Sequence, residues 1–84
     1  MPTSRQITVT TTPTILVPAN IADQTALVHA TTATLFIGGS DVTTANGYIV
    51  DHKDKLTVQV GDHEGLYGVV TSGSTTVSVL YQVN

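Results

Sequence analysis

Hydrophobic residues recur at every second position along this chain, and nowhere do they keep a helical spacing for more than about a turn. "QITVTTT" alternates Ile7 and Val9 with Thr8 and Thr10, and "TILV" resumes after Pro13, to be stopped again by Pro18. Proline cannot donate to a sheet ladder, so this first pair of strands is expected at an edge or at a bend between sheets. "TALVHA" and "TLFI" read as two strands joined by a short turn near residues 31–33. "YIV" and "LTVQV" flank the polar turn "DHKDK", with Leu56, Val58 and Val60 on one face. "GDHEG" turns the chain into "LYGVVT", apolar on both faces and so expected as a central strand. After "SGS", the closing "TTVSVLYQV" points Val77, Val79, Tyr81 and Val83 inward. Burying those four side chains contributes on the order of 6–12 kcal/mol gross, so the last strand is expected to be indispensable.

About eight short strands, regular polar turns and no helix predict an all-β fold, a single-domain antiparallel β-sandwich or jelly roll. Residues 1–6 read as an extended N-terminal arm and residues 7–84 as the domain. Eighty-four residues are near the lower limit at which a core holds a fold by itself, and there is no cysteine to add a disulfide or thiolate metal site. Such scaffolds often rely on association with other chains.

Charge narrows the function. Only Arg5, Lys53 and Lys55 are basic, and the net charge is −3. Nucleic-acid binding draws its affinity from phosphate neutralisation, which three scattered cations do not supply, and the same shortage disfavours anionic lipid. No secretory signal opens the chain, and no apolar run approaches the ~20 residues that span a membrane. The expectation is a soluble protein made in the cytoplasm.

The stretch "FIGGSDVTTANG" (36–47) poses the main chemical question. A phosphate cradle needs glycines leading into a helix N-terminus. Here an acid, Asp41, follows the glycines, and a strand rather than a helix follows Asn46-Gly47. The expected role is a turn, with positive φ available at Asn46-Gly47; a ligand cradle is the alternative. "DHKD" (51–54), "GDHEG" (61–65) and His29 offer imidazole and carboxylate ligands for zinc or nickel. The two turns lie at opposite ends of one strand, roughly 15–20 Å apart at ~3.3 Å per residue. A single site would need a neighbouring chain to complete it, so no metal or other cofactor is assigned. No serine sits in a nucleophile elbow, and Asp62 and Glu64 are expected to face water, so no catalytic residue is assigned. Tyr67 and Tyr81 fall in phase with core residues and are expected in the core or at a subunit interface. Tyr48 is the best candidate for an exposed ring.

Three segments, "TVTTTPTILVPAN", "LFIGGSDVTTANGYIV" and "LYGVVTSGSTTVSVLYQV", resemble small all-β accessory virion proteins of tailed bacteriophages. The likeness spans nearly the whole chain, with "GGSDVTTANG" its most specific part; "DHKDK" departs from the acidic turn expected there. The resemblance implies a capsid decoration (cement) protein on the outer surface of the head shell, a homotrimer whose partner is the phage's major capsid protein. Thr3, Ser4, Arg5 and Gln6 of the arm, with Asp41, Thr43, Thr44, Tyr48 and Tyr67, are then the expected capsid or subunit contacts. A tail- or head-fibre-associated module recognising host glycans is the runner-up, and a metal-dependent cupin-like enzyme the third reading.

Overall fold

The computed structural model describes residues 3–83. Eight strands run in chain order: β1 (Thr3–Val9), β2 (Thr14–Val17), β3 (Gln24–Ala30), β4 (Leu35–Gly38), β5 (Tyr48–Val50), β6 (Lys55–Val60), β7 (Leu66–Val69) and β8 (Thr75–Val83). No helix occurs among the described residues. They form two antiparallel four-stranded sheets, ordered β1-β8-β3-β6 and β2-β7-β4-β5. The pairs β1/β8, β2/β7, β3/β6 and β4/β5 are nested. The chain is thus one long two-stranded ribbon, folded back at the β4–β5 loop and rolled so that successive pairs alternate between the sheets.

The core lies between the sheets. Ala26, Val28, Val77 and Val79 from one sheet meet Leu16, Leu35, Ile37 and Leu66 from the other. Strand alternation puts these residues on one face, and β-branched side chains suit that half-buried pleat. β6 shows the expected pattern, with Leu56 and Val58 packed against the core and Val60 buried. β7 is central, between β2 and β4, and β1 and β2 are edge strands of different sheets. His29 occupies the outer phase of β3, opposite Lys55 and Ser78. Val83 departs from expectation: in phase with Val79, it is nonetheless 47% exposed, and the described part of β1 reaches along β8 only as far as Tyr81.

Residues 3–6 form the first half of β1, with Thr3 opposite Tyr81 and Gln6 opposite Ser78. The sequence reading began the strand at Ile7 because "TSRQ" has no apolar alternation. Here β8 supplies the ladder, and backbone pairing needs no apolar side chain. Met1 and Pro2, the rest of the expected arm, lie outside the described residues. Deleting residues 1–6 is therefore expected to reduce folding stability, lowering the urea midpoint by several tenths molar or more at unchanged slope.

Gln24 is, with Thr75, a buried polar residue that hydrophobic patterning passes over. It is 1% exposed at the start of β3, and its side-chain amide donates to the Pro18 carbonyl at 2.9 Å. That bond satisfies a carbonyl in a loop that a hydrocarbon side chain would leave unpaired.

Candidate functional site

The β4–β5 loop, residues 39–47, is built around its own backbone. Val42 N–H donates to the Gly39 carbonyl at 3.0 Å and Gly47 N–H to the Thr43 carbonyl at 2.8 Å. Thr43 N–H donates to Asn46 Oδ1 at 2.8 Å, and Ala45 and Asn46 N–H donate to Thr43 Oγ1. These amides are committed inside the loop, whereas an anion cradle needs them converging outward. Thr43 and Asn46 thus fasten the second half of the loop, residues 43–47.

Its apolar member, Val42, is only 3% exposed and lies outside the main core. A methyl group added at Gly38 would stand 3.0 Å from Val42 Cγ2, and one at Gly47 would stand 3.0 Å from it. The two glycines give Val42 its place over the outer face of β4. The positive φ expected at Asn46-Gly47 does not occur; among the described residues it is found at Lys53, His63 and Gly73. Close approach, not backbone handedness, is what requires glycine at 47. A Cβ there would sit 2.7 Å from Phe36 Cβ and 2.9 Å from the Thr43 carbonyl oxygen. Gly47→Ala is expected to cost about 1–3 kcal/mol, read as a lowered denaturant midpoint.

Two hollows flank this loop. One, of about 560 Å³, is lined by Gly39, Ser40 and Asp41 together with Ile15, Ala19, His63, Glu64, Gly65 and Tyr67. The other, of about 300 Å³, brings Asp41, Thr43 and Thr44 against Thr11, Pro13 and Val69. The loops 18–23 and 61–65 close the same end of the molecule and are tied together: Asp62 N–H donates to Asp23 Oδ1 at 2.9 Å and His63 N–H to the Asn20 carbonyl. Asp23, Asp41, Asp62 and Glu64 thus gather at one end, and the segments 18–23, 39–47 and 61–65 contain no Lys or Arg. His63 Nδ1 lies 3.1 Å from Asp62 Oδ2 in an exposed pair, which adds little stability in water. The two acid–histidine turns stand at opposite ends of β6, as their spacing implied. No group of three or more His, Asp or Glu is assembled for a metal among the described residues.

Beside the hollows, the outer face of the second sheet is apolar. Ile15 lies opposite Tyr67 on β7, and Phe36 lies opposite both Val69 and Ile49. Ile15 is 36% exposed and Ile49 56%, while Phe36 and Tyr67 are half-buried. Tyr67 therefore sits on the outer face, where Ile15 is its neighbour, and not in the core; Tyr81 does face inward and packs on the core. Of the two places expected for Tyr67, the core is the one the structure excludes; every residue of "LYGVV" is apolar or small, which leaves the phase undetermined in sequence.

The expected contact residues fall in separate places. Asp41, Thr43, Thr44 and Tyr67 surround the β4–β5 loop. Tyr48 is 64% exposed, beside Lys55 and Leu56 at the seam between β5 and β6. Ser4, Arg5 and Gln6 line a hollow on the first sheet with Leu27, His29, Lys55 and Leu80, and Thr3 is exposed at the start of β1. Sequence reasoning missed Ile15, Phe36 and Ile49; the signal was apolar residues at consecutive positions of "ILV", "LFI" and "YIV", which cannot all face one core. Comparison with protein-family models, curated proteins and solved structures finds no match to this chain.

Proposed function

We propose that this chain is a non-enzymatic structural protein of a tailed-bacteriophage particle, a decoration protein that binds the outer surface of the head shell as a trimer. The observation that carries the reading is the apolar outer face of β2-β7-β4-β5. Two apolar pairs on that face, Ile15 beside Tyr67 and Phe36 beside Ile49, leave surface that costs free energy while it faces water and recovers it when covered by protein. The resemblance in "GGSDVTTANG" supports the virion assignment. The nested winding, which we read as a jelly roll, is compatible with it, although capsid, lectin and cupin domains share that architecture. The mechanism is mass action: a protein that binds the assembled lattice and not its separated subunits stabilises assembly.

The test is to mix the purified protein with shells lacking it and to locate it by electron microscopy. Hundreds of copies over the head are the expected result. Ile49→Asp should abolish the decoration while leaving the melting temperature within a few degrees, because Ile49 is largely exposed. Failure to bind shells, or binding unaffected by Ile49→Asp, overturns the reading.

One observation favours glycan recognition instead. The hollow beside the loop sets the Tyr67 ring near Asp41 and Glu64, and an aromatic surface with hydrogen-bonding carboxylates is what a sugar requires. Glycan-array binding that Tyr67→Ala removes, with no affinity for shells, would establish that role in its place.

A further inference from the structure

The two sheets have four free edges, and they are not equivalent. β5 is three residues long, and β2 is a four-residue strand between Pro13 and Pro18 whose register slips between Ile15 and Val17. β6 opens on Lys55, two residues after the left-handed Lys53. Short length, proline, irregular register and lysine are the devices by which sheets keep other strands away. β1 has seven residues without proline or glycine and pairs with β8 one-to-one from Thr3 to Val9. Its other side has no neighbouring strand among the described residues. It spans about 23 Å at ~3.3 Å per residue.

We propose that this edge receives β1 of a second copy of the chain, pairing antiparallel about a twofold axis at Gln6 to make one continuous eight-stranded sheet. The register follows from the sequence of the strand. A twofold axis perpendicular to the sheet keeps inner residues inner, so it passes through a residue position. Centred on Arg5, it sets two guanidinium groups opposite each other and, among the described residues, pairs only 3–7. Centred on Ile7, it pairs only residues 5–9. Centred on Gln6, it pairs the whole strand. The outer face then matches Gln6 with the copy's Gln6, two amides that each donate and accept, and Ser4 with the copy's Thr8.

On the inner face of that register, Arg5 lies opposite the copy's Ile7 and Thr3 opposite its Val9. Arg5 is the inward-phase charge that would ordinarily blunt an edge. Here its aliphatic stem covers a half-buried isoleucine while the head stays in water. The two guanidinium groups stand two positions apart, so the arginine excludes the wrong register without forbidding the right one. The twofold contact rests on the geometry of β1 alone; it is distinct from the heterologous interface a trimer uses, would join one trimer to another, and holds whether or not the protein decorates a phage head.

The experiment uses the full chain, which has no cysteine of its own. Gln6→Cys should cross-link to a dimer rapidly under a short bifunctional thiol reagent. Thr57→Cys, on the outer face of the β6 edge, should cross-link at least about tenfold more slowly. Gln6→Lys places a charge against its own copy and should weaken the dimer about tenfold or more in sedimentation equilibrium. Its melting temperature at dilute, monomeric concentration should not move, because Gln6 is exposed. Wild-type protein that stays monomeric at millimolar concentration overturns the proposal. So does cross-linking at position 57 as fast as at position 6, or a Gln6→Lys dimer of undiminished affinity.

Discussion

A chain ending at Ser74 is expected to show no cooperative unfolding transition, and Val77→Asp in the full chain to behave nearly as badly. β8 lies between β1 and β3, so its loss leaves β1 without a partner and β3 with one free side. It contributes Val77 and Val79, 0% and 2% exposed, to the middle of the core, and buries Thr75 at 4%. A domain of this length has only about 4–13 kcal/mol of net stability, at ~0.05–0.15 kcal/mol per residue. An unpaired carboxylate in place of Val77 costs several kcal/mol whether it stays charged or takes up a proton. The measurement is circular dichroism through a thermal ramp. A sharp melt in either variant would mean that the first sheet does not depend on β8 for its order.

Leu35→Ala is expected to cost about 2–5 kcal/mol, the range for truncating a fully buried leucine. At roughly 4–8 °C per kcal/mol for a domain of this size, the melting temperature falls by about eight degrees or more. Leu35 is 0% exposed in β4, and its Cδ1 converges with that of Leu16 over Gly68 on the neighbouring β7. A methyl group at position 68 would stand 3.1 Å from each of those carbons. Gly68→Ala alone therefore overpacks the core and destabilises. In the Leu35→Ala background the same methyl group enters vacated space. The double variant should be less destabilised than the sum of the two single ones, with a coupling of about 0.5–3 kcal/mol in denaturant titrations. Strict additivity would mean that position 68 and Leu35 do not share a cavity.

Much of the fold was legible because strands with one buried face write their period into the sequence. Leu56, Val58 and Val60 gave β6, and Val77 and Val79 gave the inward face of β8. The pairing was not legible, since alternation says which face is buried and nothing about which strand lies alongside. That is also why Thr3–Gln6 read as an arm: their ladder comes from residues some 75 positions away. The candidate site was legible in its outline. The turn expected at 36–47 is there, with the amides of residues 42, 43, 46 and 47 bonded within the loop. Its stopper, Val42, was invisible, because a lone valine in a loop carries no period. The apolar outer face was half-visible in "LYGVV", where the absence of alternation marked a central strand but concealed which way Tyr67 pointed.

The nesting of β1 against β8 has a temporal consequence. During synthesis the first strand leaves the ribosome long before β8 exists, and the first sheet cannot be completed until β8 emerges. Folding is then expected to wait for β8 and to be slow, in milliseconds to seconds, as for other folds dominated by distant pairings. In that interval the bare β1 of nascent chains can meet its likeness on a neighbouring chain, so the yield of soluble protein should fall with expression rate and recover at low temperature.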